Sequence, residues 1–245
     1  MIQPIEYIGP VPNKKKPKAK FGGWIMLLLV SLFVTNFAWP YIEGVAHASQ
    51  DQPNTKLASA LSGRLLNSHS TPQKIAGAAL QRTQAEVTYD PVYHLIDYPM
   101  GDIPQHKGMH TDLIIRSLRV AGVDLQQLIH EDMEANFSSY PQLWSLKEPD
   151  SNIDHRRIEN INRYLTRHHS SHETSRNPAD YQIGNIVIWR LPTGDLHIGI
   201  VVPGPGVHES EKWIAHNLNQ SPTWEDSLFD YNIIGNYSLL NVTGE

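Results

Sequence analysis

The chain has 245 residues, of which 40% are hydrophobic and 18% are charged, and its formal net charge is −5 at pH 7. This composition is typical of a folded domain with an extension and excludes a disordered or fibrous protein. The mildly acidic balance, with no basic stripe in the body of the chain, argues against nucleic acid as a partner.

The N-terminal region combines a basic tail with a long uncharged stretch. Residues 1–20 carry a cluster of lysines, and residues 21–42 contain no charged side chain. A stretch of this length can span a hydrocarbon core of about 30 Å as a helix. Because basic residues stay in the cytoplasm, we predict a single-pass inner-membrane anchor with its N-terminus inside and a periplasmic domain. The small residues at Ala46 and Ala48 leave a cleavable signal peptide open, which would also export the domain.

The part that follows the apolar stretch contains no cysteine, so its stability cannot depend on disulfides. Residues 43–86 are rich in Ser, Gln, Asn, Ala and Thr, and we interpret them as a periplasmic linker with one helix near residues 74–83. The folded domain is then predicted to occupy residues 87–245.

Within that domain, helix patterns precede strand patterns. We predict a helix over 111–120, with Thr111 as N-cap and Gly122 ending it, and further helices near 125–137 and 158–168. Short β-branched and aromatic runs follow, separated by Gly, Pro and Asn: IGNIVIWRL, HIGIVV, KWIAHNL and NIIGNYSLL. Helices followed by antiparallel strands predict an α+β fold.

Four sequence blocks carry a resemblance to a known family. They are GMHTDLIIRSLRVAGVDLQQLIHEDM, NIDHRR, GNIVIWRLPTGDLHIGIV and WIAHN, and the match covers roughly residues 89–237. In this order they resemble the bacterial domain-of-unknown-function 1287 family, which is similar to NlpC-type papain-like cell-wall peptidases. The resemblance implies a papain-like α+β fold with helices packed on an antiparallel sheet. It also implies peptidoglycan stem peptides as the substrate class.

The resemblance also assigns positions in a catalytic site. In NlpC-type peptidases a cysteine opens a helix, a histidine begins a strand, and a third polar residue lies on the next strand. Carried over by motif, these positions are His110, His197 and His216. Because the chain has no cysteine, thiol catalysis is excluded.

Three histidines with an open fourth position are a known form of catalytic zinc site. Asp112 would add a ligand or orient His110. We therefore predict a zinc-dependent peptidoglycan endopeptidase or amidase with His110, Asp112, His197 and His216 as catalytic residues, the three histidines binding Zn²⁺. The spacing contains no local zinc motif, so a degenerate site and a hydroxyl nucleophile at Thr111 both remain open.

Arg156 and Arg157 have two interpretations. They could hold a substrate carboxylate, for which guanidinium groups are suited, or belong to a structural ion-pair network. For the whole chain, the alternative to an enzyme is a non-catalytic cell-wall-binding or scaffold protein, for example in an envelope-spanning secretion or division apparatus.

Overall fold

The computed structural model describes residues 9, 22–33, 55–168, 170–206, 211–218 and 220–239. The chain divides into two units, Met1–Asp51 and Gln52–Glu245. The first contains one described helix, α1 (Gly22–Phe33). Across the described ranges, no helix has both the length and the apolar character needed to cross a membrane. The remainder of the predicted anchor, residues 21 and 34–42, and the candidate cleavage site lie outside those ranges.

The helices of the second unit agree with most of the sequence predictions. They are α2 (55–66), α3 (Thr71–Arg82), α4 (His110–Val120), α5 (Leu125–Asn136) and α6 (Ile158–His168). Three short 3₁₀ helices accompany them at Phe137–Ser139, Asp154–Arg156 and Pro178–Asp180.

The strands form one large sheet and one small pair. The short strands β1 (Thr88–Tyr89) and β2 (Lys107–Gly108) pair in parallel. The large sheet has the order β3-β8-β4-β5-β6-β7, and all its pairings are antiparallel. Its strands are β3 (Ser170–Ser171), β4 (Ile186–Arg190), β5 (Leu196–Pro203), β6 (Lys212–His216), β7 (Thr223–Glu225) and β8 (Asn232–Ser238). The predicted combination of helices with an antiparallel sheet is therefore confirmed.

Both faces of the large sheet are covered, as the alternation along β5 shows. Ile198 and Ile200 pack in the main core with side chains of α3 and α4. Val201 belongs to a smaller cluster with Trp189, and the imidazole of His197 stacks on Trp189 with ring centroids 5.7 Å apart. Because successive strand residues point to opposite faces, His197 lies on the same face as Val201 and Trp189.

The linker prediction for residues 43–86 is wrong over its described part. Leu65, Ile75 and Leu80 belong to the main core, together with side chains of α4 and the sheet. Among the residues that suggested a linker, the small Ser and Ala side chains instead permit close helix packing. A Cβ at Gly77 would lie 2.9 Å from Cβ of Leu65. The folded unit therefore begins before residue 87.

Candidate functional site

Three separate elements bring His110, His197 and His216 together. His110 is the first residue of α4, His197 is the second residue of β5, and His216 is the last residue of β6. In the β5–β6 pairing Gly199 lies opposite His216, which places His197 diagonally across on the same face. Nε2 of His197 is 2.7 Å from Nδ1 of His216. The rings of His110 and His197 meet edge to face, with centroids 5.8 Å apart.

Glu225, which sequence reasoning missed, extends this chain of side chains. Its Oε1 is 2.5 Å from Nε2 of His216. In the β6–β7 pairing Ile214 is opposite Glu225 and His216 is opposite Thr223, so Glu225 reaches His216 diagonally. The sequence signal was weak because β7 is only three residues long. Glu225, His216 and His197 form a continuous row that ends beside His110.

The environment of this row keeps its imidazoles neutral. His197 is 1% exposed and His216 is 2% exposed, whereas His110 is only partly buried. Burial lowers the pKa of His197 to about 3, and the neighbouring imidazoles act in the same direction. Burial lowers the pKa of His110 to about 4, against the opposing effect of Asp112. Burial also lowers the pKa of His216, although its hydrogen bond with Glu225 opposes the shift.

Asp112 has a structural role that corrects two predictions. Helix α4 begins at His110, so Thr111 is not its N-cap, and the Thr111 hydroxyl donates to the carbonyl of Arg156 (3.1 Å). The Met109 amide donates to Oδ2 of Asp112 (2.7 Å). Asp112 also accepts from Nε and Nη2 of Arg156 (2.9 and 3.0 Å). Both of its oxygens thus accept hydrogen bonds that fix the start of α4, and in this arrangement they do not face the three histidines as a metal ligand would.

Arg156 does not fit the predicted role of substrate anchor. It is 1% exposed, and besides Asp112 its guanidinium donates to the carbonyls of Asp90 and Val92. All three of its nitrogens are therefore used within the protein. This matches the alternative interpretation, a structural ion-pair network.

Arg157 has fewer partners. Its guanidinium lies over the ring of Trp144, 3.9 Å from the centroid, and Nη1 is 3.8 Å from Oδ1 of Asp154. Within the described residues, Nη1 is buried without a hydrogen-bond partner. The described contacts of Arg157 do not include His110, His197 or His216.

The three histidines do not fit the predicted zinc site in this arrangement. Nitrogens bound to one tetrahedral zinc lie about 3.3 Å apart, since Zn–N distances are about 2.0–2.1 Å. Nε2 of His197 and Nδ1 of His216 are closer, at 2.7 Å, and face each other in a hydrogen bond. The other nitrogen of His216 faces Glu225. Among the residues described, no group of three or more His, Cys, Asp or Glu is arranged to hold a metal ion.

An open groove borders the site. The ring of Tyr89 lies beside His110, with centroids 6.4 Å apart. Tyr89 also lines the groove, together with Val87 and Thr88 on one side and Gln220 and Ser221 on the other. The Ser221 hydroxyl donates to the carbonyl of Val87 (2.9 Å), which joins the β6–β7 loop to this segment.

Comparison with known proteins places the chain in a family without assigning it an activity. The model of the family described as Domain of unknown function (DUF1287) matches residues 76–239. The chain is 47% identical over 163 residues to the Uncharacterized protein YijF of Escherichia coli (strain K12), covering 66% of this chain and 79% of that protein. No solved structure matches the chain significantly. The chain belongs to the DUF1287 family.

Proposed function

We propose that this protein is an exported hydrolase that cleaves amide bonds in peptidoglycan stem peptides, with water as the nucleophile. The observation that carries the proposal is the row formed by Glu225 and the buried His216 and His197, which ends beside His110 at the start of α4. The basic tail and the uncharged stretch of the N-terminal region support a membrane-anchored periplasmic location. The resemblance to NlpC-type peptidases supports the substrate class.

Neutral imidazoles can act as general bases at neutral pH. Burial lowers the pKa of both His110 and His197, so each presents an unprotonated nitrogen but is a weaker base than a free imidazole. His110 is the more exposed of the two, so water and substrate reach it first. An imidazolium formed by proton transfer from water would be stabilised by the negative charge of Glu225 at the far end of the row.

The start of α4 offers a donor for the developing oxyanion. The first amides of a helix have no intrahelical partner. In the described part of the chain, the N–H group of His110, a partly exposed residue, donates to no other backbone group, whereas Thr111 is fully buried and out of reach of a substrate. Fixed donors of this kind stabilise a tetrahedral intermediate. The bidentate contact between Arg156 and Asp112 keeps the start of α4 in place.

A second candidate is a cell-wall-binding protein without catalysis. It is favoured by the burial of His197 and His216, because a general base must come within hydrogen-bond reach of the attacking water. It is also favoured by the absence of a cysteine at the position where the resemblance implies a nucleophile. This candidate predicts retention on peptidoglycan without cleavage.

The test is incubation of the full-length chain with purified muropeptides, followed by mass spectrometry of the products. The native protein is compared with His197→Gln and with His69→Gln, a change at an exposed histidine outside the row. Cleavage that His197→Gln abolishes and His69→Gln preserves would support the hydrolase. Binding to sacculi with no new fragments from any of the three proteins would favour the wall-binding candidate.

A further inference from the structure

In the row of hydrogen bonds beside His110, each ring donates toward the next member, and Glu225 at the end of the row determines which nitrogens donate. Each neutral imidazole carries its proton on one nitrogen and leaves the other as an acceptor, whereas an ionised carboxylate only accepts. Glu225 is half exposed, with 52% of its side chain accessible, and it occupies the solvent end of the row. The Thr223 hydroxyl also donates to Oε1 of Glu225 (3.3 Å), as expected for a carboxylate.

We propose that Glu225 is a positioning residue that fixes the tautomers of His216 and His197 and leaves Nδ1 of His197 as the only basic nitrogen of the buried pair. A carboxylate 2.5 Å from Nε2 of His216 requires a proton on that nitrogen, because two lone pairs would otherwise face each other. Nδ1 of the neutral His216 is then bare and accepts from Nε2–H of His197 at 2.7 Å.

The structure argues against the opposite tautomers, in which His216 and His197 both carry the proton on Nδ1. They would need a donor for a bare Nε2 of His216, and the Ser227 hydroxyl is the nearest such group at 3.4 Å. Glu225 is closer by 0.9 Å and cannot donate when ionised. A doubly protonated His216 would donate from Nδ1 to Nε2 of His197 and so place the proton of His197 on Nδ1. Burial opposes a charge on either ring.

The catalytic consequence rests on the proposed function, but the tautomers do not. A general base must offer a lone pair to the proton that it accepts. With the tautomers fixed by Glu225, His197 has its lone pair on Nδ1, the nitrogen that does not face His216. Without Glu225, the same buried ring could turn its N–H to that side and lose its basic nitrogen.

The experiment is a long-range ¹H–¹⁵N correlation spectrum of the full-length chain labelled in its histidine rings. This spectrum distinguishes protonated from bare ring nitrogens, and ring-to-backbone correlations assign the rings. We expect both His197 and His216 to carry the proton on Nε2. A proton on Nδ1 of His197, or on both nitrogens of His216, would overturn the proposal.

A matched pair of variants tests the role of Glu225. Glu225→Gln keeps the shape of the side chain, but its amide can donate as well as accept. We therefore expect the Nε2–H form of His197 to fall by about twofold. The control is Glu211→Gln, whose carboxylate accepts from the Gly206 amide (3.0 Å) and lies outside the row. An unchanged tautomer in Glu225→Gln, with a native-like backbone spectrum, would contradict the positioning role.

Activity separates this inference from the proposed function. If muropeptides are cleaved, Glu225→Gln should lower kcat by about twofold with little change in KM, in proportion to the lost Nε2–H form of His197, since the other tautomer has no basic nitrogen for the substrate. If no cleavage occurs but the tautomers are as expected, the proposed function fails and the positioning role stands. Cleavage with reversed tautomers would support the hydrolase and overturn the positioning role.

Discussion

Arg156 and Asp112 form a buried, bidentate ion pair that joins the 3₁₀ helix before α6 to the start of α4. Nε of Arg156 is 2.9 Å from Oδ1 of Asp112, and the two side chains are 1% and 5% exposed. The pair is 44 residues apart in sequence, and Asp112 lies two residues after His110. It holds the helix start at which the candidate site begins.

Removing one member of this pair should strongly destabilise the fold. We expect Arg156→Met to lower the free energy of unfolding by about 3–5 kcal/mol, because Asp112 would remain as an unpaired buried charge. Urea unfolding followed by circular dichroism measures this change. Arg190→Met, at an exposed position, should stay within about 0.5 kcal/mol of the native protein. An equal decrease in the free energy of unfolding in the two variants would show that the ion pair contributes no more to stability than an exposed arginine.

Stability should decrease as the pH falls below neutral. The folded-state pKa of His197 is about 3 and that of His110 about 4, both below the ordinary value of 6.5. At a pH between the folded-state pKa and 6.5, each of these histidines binds a proton in the unfolded chain but not in the folded chain. Each such histidine therefore lowers stability by about 1.4 kcal/mol per pH unit, and above pH 6.5 the effect is absent.

The contribution of one histidine to this slope can be isolated by urea titrations between pH 7 and pH 5. His197→Gln should have a slope smaller than that of the native chain by about 1.4 kcal/mol per unit at the acidic end. His69→Gln, an exposed control, should keep the native slope. A slope unaffected by His197→Gln would mean that this imidazole is already charged in the folded protein.

Metal content tests the zinc prediction directly. Because His197 and His216 bond to each other and His216 also bonds to Glu225, we expect no stoichiometric zinc in the chain purified without a histidine tag. Elemental analysis of the native protein and His110→Ala should give the same low value. About one zinc per chain, lost in His110→Ala, would show that the imidazoles rearrange around a metal.

The close packing behind His216 makes Gly199 sensitive to substitution. A Cβ at Gly199 would lie 2.7 Å from Cγ2 of Ile214 and 3.1 Å from Cβ of His216. Gly199→Ala should therefore destabilise the protein by about 1–3 kcal/mol and shift the ring resonances of His216.

The matched control is Gly63→Ala in α2, where the added Cβ would have no atom within 4 Å apart from its adjacent residues and the backbone of its own helix. This change should stabilise the protein by about 0.5–1 kcal/mol, since alanine is the better helix former. Thermal or urea unfolding of both variants measures the pair of effects. Stabilisation by Gly199→Ala would mean that the strand has room that the structure does not show.

Local patterns in the sequence were sufficient for most elements of the fold. The periodicity of α4, α5 and α6 and the β-branched runs of β4, β5, β6 and β8 predicted their positions, because these patterns reflect burial of one face of each element. The linker interpretation of residues 55–86 was wrong, since small side chains are common both in linkers and in closely packed helices. The three residues of β7 are too few for alternation to be recognised.

The sequence determined that thiol chemistry is absent, and motif order identified His110, His197 and His216 as a set. It could not determine how they are connected, because a hydrogen bond depends on strand register and ring orientation, which are set by contacts between distant residues. Tertiary structure alone decided that Glu225 joins the row and that a ring nitrogen of His197 faces one of His216. It also decided that Arg156 and Asp112 pair with each other, since burial leaves an isolated charge no other stable arrangement.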